Sequence, residues 1–540
     1  RTGQPATVTD VAGTRTFAYN AQLQEVSETI VGLYNKTLTR SYTTTGMKGR
    51  KLGLAVGGVA NYTYSYDSYG RLNKITTPAG DFDYTRLANS DLVAQMTRPN
   101  GVTTTWSYES NRNLITQVAN GTISTYGYVN DAIGRRTSMS RSGSAHPTPD
   151  TISYSYNDRS EVTGATSNNI PSYTYTYSYD PIGNRTSASE AGVPWTYATN
   201  NLNQYTSATE DNVQLTFTYD LDGSMTYRPV DANSGWTQVW NGENRMVETY
   251  KGDDRLTFQY DYMGRRVEKC VYSNNTLATH LKFVYDGFKL VEELDALNGD
   301  APLRRYAWQP FEAGLDVVLQ MREVANAADS FHLHDANKNV MQLTDAVGNT
   351  SETCSYAPFG ETVAVGGSMH FFSFSSEVSE PGTGLNYYNY RYLASNIGRW
   401  TRRDPIDEHG AINLYLMVNN NLPNQTDYLG TVPAVVVPIV IDAVLMVIDF
   451  AARQAKRHFE KSMEDCQKKC LPNECKSCCM TNGSAAIMSL TVVYMSQRGI
   501  CLTLPPQLIP LCWGLALADF TIDIVDLNSS INACSKSCNP

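Results

Sequence analysis

The residues of this 540-residue chain best able to do chemistry are its cysteines, and they are crowded at one end. Nine of the eleven cysteines follow residue 431. Cys466 and Cys470 are four residues apart, as are Cys534 and Cys538, so each pair would share one face of a helix. Thiols at such spacing either oxidise to disulfides or bind zinc as thiolates.

Both outcomes stay open for these cysteines. Two antiparallel helices would pair Cys466 with Cys538 and Cys470 with Cys534. The zinc alternative would use Cys466, Cys470, Cys475 and Cys478, although a spacing of three intervening residues is not that of the usual zinc knuckle. Nine is an odd number, so at least one thiol stays unpaired in a monomer. The disulfide interpretation predicts an oxidising destination, secreted or at the cell surface.

A second group with possible chemistry is His332-Leu333-His334-Asp335. Residues two apart on a strand point the same way, so both imidazoles and the carboxylate could bind a metal. The alternative is that these are ordinary hydrogen-bonded strand and turn residues, and we predict no metal and no cofactor. The sequence has no His-Glu-x-x-His motif, phosphate-binding loop or nuclease-like histidine cluster.

The elements that must position any site are repeats of aromatic-x-Tyr-Asp, a turn with glycine, and often arginine. Clear copies begin at Tyr64, Tyr177, Phe217 and Phe258. Alternate residues of a strand face one side, Asp starts the turn, and Gly supplies the positive φ. Each copy is therefore a β-hairpin that can bury its face only by stacking on its neighbours, which predicts an all-β array. Structural roles for these residues are favoured over sugar binding by the tyrosines.

This repetition resembles the Rhs/YD-repeat proteins, and a denser segment follows it. The runs Gly384–Tyr392, Ile397–Ile406 and Asp427–Gly430 are similar to the Rhs-associated core. The resemblance implies a spiral β shell around a cargo, a core packed as a plug on the last strands, and a variable C-terminal domain. The predicted domains are a YD-repeat array over 1–300, the core over 301–430, and a small α-helical, cysteine-rich domain over 431–540. The shell is predicted to be partial, because about a dozen units are visible.

The same resemblance, which extends to the C components of Tc toxins, implies an aspartyl self-cleaving site at the end of the core. Asp404, in Arg403-Asp404-Pro405, and Asp427 match its two carboxylates. One would activate water, while the other stays protonated and polarises the scissile carbonyl. Arg403 would tune or orient the pair. The cut is expected within a residue or two of Thr431, so the cleavage region includes Gly430.

Two departures from the family pattern weaken this assignment, and the alternative that both aspartates only cap turns stays open. The usual ending resembles Asp-Pro-x-Gly-Leu, whereas this chain has Asp427-Tyr428-Leu429-Gly430-Thr431. Asp407 stands where the first motif usually has glycine.

The C-terminal region has a different composition from the repeats. Apolar stretches over 432–450, 485–494 and 500–525 are interrupted by prolines and by Asp442 and Asp449. None is a clean span of about 20 apolar residues, the length that a bilayer requires. Helices of a small domain are favoured, and insertion of a released piece into a target membrane is the alternative.

These observations predict a fragment of a Rhs-type polymorphic toxin whose shell presents an effector that self-cleavage releases. Its partners would be its own C-terminal domain as cargo, an immunity protein and a target membrane. The formal net charge of −10 argues against nucleic-acid binding. The alternative is a non-catalytic surface, structural or carbohydrate-binding YD-repeat protein with a disulfide-stapled or membrane-anchoring tail. The start at Arg1, within a repeat, predicts a fragment lacking its N-terminus. The cysteine-rich tail and the family resemblance predict a bacterial secreted or cell-surface protein.

Overall fold

The computed structural model describes residues 4–44, 49–310, 316–366, 371–380, 382–431 and 433–435. All of them belong to one compact unit, Arg1–Pro438. The predictions for a helical C-terminal domain, and those for Cys466, Cys470, Cys534 and Cys538, lie outside the described residues. Within the described residues, Cys270 and Cys354 are free thiols.

The described chain is antiparallel β-sheet, as the repeat pattern predicts. Each strand of the two large sheets, of 20 and 14 strands, pairs with the next strand in sequence. Only Phe217 separates the last strand of the first sheet from the first strand of the second. The second sheet continues past residue 300 without a break, so repeats and core share one meandering ribbon.

The first sheet consists of β1 Thr7–Asp10, β2 Gly13–Tyr19, β3 Glu25–Gly32, β4 Lys36–Tyr42, β5 Lys51–Val56, β6 Val59–Tyr66, β7 Leu72–Thr77, β8 Gly80–Arg86, β9 Val93–Thr97, β10 Thr103–Tyr108, β11 Ile115–Asn120, β12 Ser124–Asn130, β13 Arg136–Ser142, β14 Asp150–Tyr156, β15 Val162–Ser167, β16 Thr174–Tyr179, β17 Arg185–Glu190, β18 Val193–Thr199, β19 Tyr205–Glu210 and β20 Val213–Thr216. The second sheet consists of β21 Thr218–Tyr219, β22 Met225–Pro229, β23 Gly235–Trp240, β24 Met246–Lys251, β25 Asp254–Tyr260, β26 Arg266–Ser273, β27 Thr276–Asp286, β28 Lys289–Asp295, β29 Ala301–Trp308, β30 Val318–Glu323, β31 Ala328–His334, β32 Val340–Thr344, β33 Thr350–Tyr356 and β34 Thr362–Gly366. Two small sheets follow, β35 Val378–Glu380, β36 Leu385–Tyr388, β37 Arg391–Ala394 and β38 Arg399–Trp400, then β39 Gln425–Asp427 and β40 Pro433–Val435. Short 3-10 helices lie at Ala296–Asn298, Phe374–Ser376, Ser395–Ile397, Asp407–His409 and Val418–Asn420.

The Tyr-Asp pair closes each hairpin and ties it to the one before. In the first clear copy, the Tyr66 hydroxyl donates to the Lys51 carbonyl at 2.6 Å. The Asp67 carboxylate accepts the backbone N–H groups of Tyr69 and Arg71, each at 2.9 Å. The same hydrogen bond, from a tyrosine hydroxyl to a backbone carbonyl of the preceding strand, is made by Tyr108, Tyr156, Tyr179, Tyr260, Tyr285 and Tyr356. The repeat residues therefore have the structural roles that the sequence favours.

Arginine at the end of the turn joins each hairpin to the one after it. Arg135 pairs with Asp131 of its own turn at 2.8 Å and donates to the Asn157 carbonyl of the next turn at 3.3 Å. Arg265 does the same between Asp261 and the Gly287 carbonyl. Other turns make the forward bond through Arg71, Arg112, Arg159 and Arg245. The YD turns thus form a hydrogen-bonded row along one edge of the ribbon.

The ribbon coils until its second sheet meets its first. Bonds between the coils join residues 183 to 252 positions apart, such as the Tyr34 hydroxyl to the Phe283 carbonyl at 2.8 Å. Asp286, at the end of β27, forms ion pairs across the same junction with Arg40, at 2.7 Å, and with Lys51. These contacts fix the pitch of the spiral.

Residues 382–431, which we call the plug, lie on the YD turns. Five consecutive turns each contact it: Asn424 meets Arg136, Asn420 meets Glu161 and Gly183, Asn413 meets Asn184, Arg399 meets the Asn203 carbonyl, and Arg403 meets the Asp222 carbonyl. The plug is hydrogen-bonded, as expected, but it spans turns from the middle of the repeats as well as the last strands.

Candidate active site

The two aspartates singled out in the sequence come together in the plug through an arginine that lies between them. Arg391 begins β37, Asp404 follows β38, and Asp427 ends β39. The Nη2 atom of Arg391 lies 2.9 Å from Asp404 Oδ2 and 3.3 Å from Asp427 Oδ2. All three side chains are buried. Both carboxyls therefore reach the same nitrogen, which compensates their charge in the plug.

The two carboxyls differ in their surroundings and in the hydrogen bonds that they accept. Burial raises the pKa of Asp404 to about 6; Arg391 opposes this shift and Asp427 adds to it. Asp404 Oδ1 accepts one backbone N–H, from Ile406 at 3.1 Å. Asp427 Oδ1 instead accepts two, from Gly430 at 2.8 Å and Thr431 at 2.9 Å. Burial therefore favours the protonated form of Asp404, whereas Asp427 Oδ1 is held by two backbone N–H groups.

The predicted cleavage region folds back onto these carboxyls. Besides the two N–H groups on Asp427, the Gly430 carbonyl accepts a bond from Arg391 Nε. Gly430 has φ +77°, and a Cβ there would lie 3.0 Å from the Tyr388 carbonyl oxygen, so glycine is required. Strand β40 then pairs with β39, with Asp427 opposite Pro433. The residues after Asp427 form the tip of this hairpin.

Gly410 keeps open the space between Asp404 and the end of this tip. A Cβ at Gly410 would lie 2.7 Å from Asp404 Oδ2 and 3.1 Å from the Thr431 carbonyl oxygen. Its backbone is in the ordinary helical region, at φ −82°, so glycine is not needed there for conformation. The acidic oxygen and the carbonyl after which the cut is expected therefore face the same small space.

Arg403, the arginine predicted to orient the pair, points elsewhere. Its side chain is exposed, and Nε donates to the Asp222 carbonyl at 2.6 Å. Asp407, which stands where the family motif usually has glycine, has φ +52°. Aspartate tolerates this left-handed conformation better than most residues, so the turn survives the change.

Sequence reasoning assigned no chemical role to Arg391 and did not single out Gly410. A signal for Arg391 was present, because it is the one charged residue within the aromatic run Gly384–Tyr392. A guanidinium in a buried strand requires carboxylates nearby. No comparable signal marks Gly410, whose role depends on contacts between distant segments.

The histidine pair lies on β31 as predicted, with both side chains buried. The two rings are 6.4 Å apart and nearly parallel. Asp335 is occupied as a turn cap, accepting the N–H groups of Asn337 at 2.8 Å and Asn339 at 3.0 Å. Across the described ranges, no three potential metal ligands cluster, and no helix has the length and apolar content to cross a membrane.

Comparison with known proteins gives three kinds of match. Residues 131–423, more than half of the chain, match the family model "Teneurin YD-shell". Double-stranded DNA deaminase toxin A of Burkholderia cenocepacia is 25% identical over 177 residues, which are 28% of this chain and 12% of that protein. Toxin subunit YenC2 of Yersinia entomophaga is 36% identical over 83 residues, 14% of this chain and 9% of that protein. A structure of the Photorhabdus luminescens Tc holotoxin pore is 14% identical with a TM-score of 0.42, covering 80% of this chain and 28% of that chain.

Proposed function

The chain belongs to the Teneurin YD-shell family and is related in sequence to toxins, and from this premise we propose that it is a shell-forming, self-cleaving toxin fragment. The repeats over 1–300 and the core over 301–430 would enclose the C-terminal domain, 431–540, as cargo. Aspartyl autoproteolysis next to Thr431 would separate that effector from the shell. The protein would be secreted by a bacterium, and the released effector would act on a target, for which a membrane is one candidate. An immunity protein would protect the producing cell.

One observation favours self-cleavage over the alternative that the two aspartates only cap turns. Turn caps need no shared partner, yet Asp404 and Asp427 meet on one nitrogen of Arg391. The cleavage region is bonded to that same group through the Gly430 carbonyl and the N–H groups of Gly430 and Thr431. Substrate and carboxyls are therefore held together before reaction, which is the main requirement of a single intramolecular cut.

The geometry favours hydrolysis of the peptide bond after Thr431. Asp404, as the protonated carboxyl, would donate to the Thr431 carbonyl oxygen across the space at Gly410. Asp427 would take a proton from the attacking water, whose oxygen bonds to the carbonyl carbon. When the tetrahedral intermediate collapses, the C–N bond breaks, Asp427 passes the proton from water to the leaving nitrogen, and Asp404 regains a proton from a hydroxyl of the intermediate. The products are a carboxylate on Thr431 and a new amino terminus.

Expression of residues 1–540 should yield two chains on a denaturing gel, and Asp404→Asn or Asp427→Asn should yield one. Either change removes one of the two proton-transferring groups while keeping the side-chain volume. Mass spectrometry of the small fragment should place its amino terminus at residue 432. As a control, Asp407→Asn alters an exposed aspartate three residues from Asp404 and should leave cleavage intact. An uncut wild-type chain that is folded would refute self-cleavage.

The rate of self-cleavage should fall as the pH rises above about 6. A raised pKa keeps Asp404 protonated up to that value, and ionisation above it removes the proton donor. The rate should then drop about tenfold per pH unit well above the pKa. To measure this profile, uncleaved chain would be recovered in denaturant and refolded at a series of pH values between about 5 and about 8, and the cleavage rate would be followed at each pH. A rate that instead rises through pH 6 would make Asp404 the base and reverse the assignment.

A further inference from the structure

Tyr428 occupies the position in the cleavage region that departs most from the family ending, and its ring faces two lysines. The ammonium of Lys289 lies 4.7 Å from the centre of the Tyr428 ring, and that of Lys338 lies 5.9 Å away. Cations attract the face of an aromatic ring within about 6 Å, and more strongly where water is excluded. Tyr428 directly follows Asp427, so whatever holds this ring also holds the start of the hairpin tip.

The two lysines are fixed by groups outside the plug. Lys289, at the start of β28, has its ammonium 4.8 Å from the ring of Trp308 on β29 and pairs with Asp316. Lys338, in the turn after β31, lies 3.3 Å from the other oxygen of Asp316. The carboxylate of Asp316 thus joins both ammonium groups and sets their spacing. The shell wall presents a preformed pair of cations to the cleavage region.

The charge balance of this cluster favours an electron-rich partner. Lys338 also pairs with Glu377 at 3.3 Å, but burial raises the pKa of Glu377 to about 8. Burial also lowers the pKa of Lys289, and the nearby Asp316 carboxylate opposes that shift. Asp316 is the anion that contacts both lysines. The face of the Tyr428 ring supplies negative potential without introducing another charge next to Asp427.

We propose that Lys289 and Lys338 form a cation clamp that grips Tyr428 and thereby positions residues 427–431 at Asp404 and Arg391. The inference rests on the proposed self-cleavage for its purpose, but the clamp itself is a statement about the position of the segment. Lys289, Lys338 and Tyr428 act as positioning residues, because the two lysines act on the cleavage region through the Tyr428 ring.

Hydrogen exchange tests the clamp independently of cleavage. In the uncut Asp404→Asn chain, Lys289→Met or Tyr428→Leu should speed exchange of the Gly430 and Thr431 amides tenfold or more. Tyr428→Phe keeps the ring and should exchange like the parent. Strand β37 should keep its protection in every variant, which excludes general unfolding. If the amides of the Lys289→Met and Tyr428→Leu chains exchange no faster than those of the parent, the clamp is refuted.

Cleavage rates in the chain with Asp404 intact supply the second readout. Lys289→Met and Tyr428→Leu should each slow cutting at least tenfold, and their combination should be no slower than either alone, because both remove the same contact. Tyr428→Phe should cut at the parent rate. A fully additive double variant would overturn the clamp. If the parent does not cut but exchange responds as expected, self-cleavage fails and the clamp stands.

Discussion

Replacing Arg391 by methionine should abolish self-cleavage and lower the free energy of unfolding by about 3–5 kcal/mol, the usual cost of removing one partner from a buried ionic group. Arg391 is the common partner of Asp404 and Asp427, and its loss removes the cation that both buried carboxyls contact. It also removes the bond to the Gly430 carbonyl and the contact of the guanidinium with the Trp400 ring, 4.2 Å away. Urea unfolding of the uncut chain, with a denaturing gel for cleavage, measures both effects.

Arg403→Met is the matched control for this prediction. Arg403 lies in the same plug, next to Asp404, but its side chain is exposed and contacts a backbone carbonyl instead of a carboxyl. Its replacement should cost less than about 1 kcal/mol and leave cleavage active. Equal losses in the two variants would mean that Arg391 has no special relation to the carboxyls. Loss of cleavage in the Arg403 variant alone would restore the role that the sequence suggested for it.

Asp286→Asn should destabilise the spiral by about 3 kcal/mol, at the lower end of the range for breaking a buried ion pair. Asp286 links the two coils, and its removal leaves Lys51 without this anion, whereas Arg40 keeps Glu25 and Glu28. Asp91→Asn is the control: its side chain is 90% exposed, and its pair with Arg71 should contribute less than about 1 kcal/mol. The midpoint of urea unfolding measures the difference.

Acid should remove the same stabilisation from the unmodified chain. Burial alone would raise the pKa of Asp286, but Lys51 and Arg40 hold it well below its ordinary value. A carboxyl with a depressed pKa stabilises the fold fully above its unfolded pKa of about 4, and this contribution is lost as the pH falls below that value. The stabilities of wild type and Asp286→Asn should therefore converge in acid. A gap that stays constant down to about pH 2 would contradict the ion-pair explanation.

The hairpin array could be predicted because its information is local. Tyr66 and Asp67 act on their own hairpin and its neighbour, so their roles follow from alternation and turn chemistry. The two aspartates that meet at Arg391 were also singled out, through their motifs. Arg403 was chosen because it is adjacent to Asp404 in sequence, whereas Arg391, the arginine that contacts both carboxyls, comes next to Asp404 only through the pairing of β37 and β38. The lysines that contact Tyr428 are separated from it by up to 139 positions, and no local pattern links them.

The contacts between the plug and the YD turns also have a consequence for how such a chain can change length over evolution. A hairpin added before β1 would lengthen the ribbon while leaving unchanged both the bonds between the coils and the contacts of the plug. The five turns that meet Asn424, Asn420, Asn413, Arg399 and Arg403 allow no such freedom, because the plug contacts them in a fixed order. Gain or loss of one unit there would shift every later turn against its partner. The plug and the bonds between the coils therefore fix the number of repeats that they contact, and variation in repeat number among relatives should be confined to the region before β1.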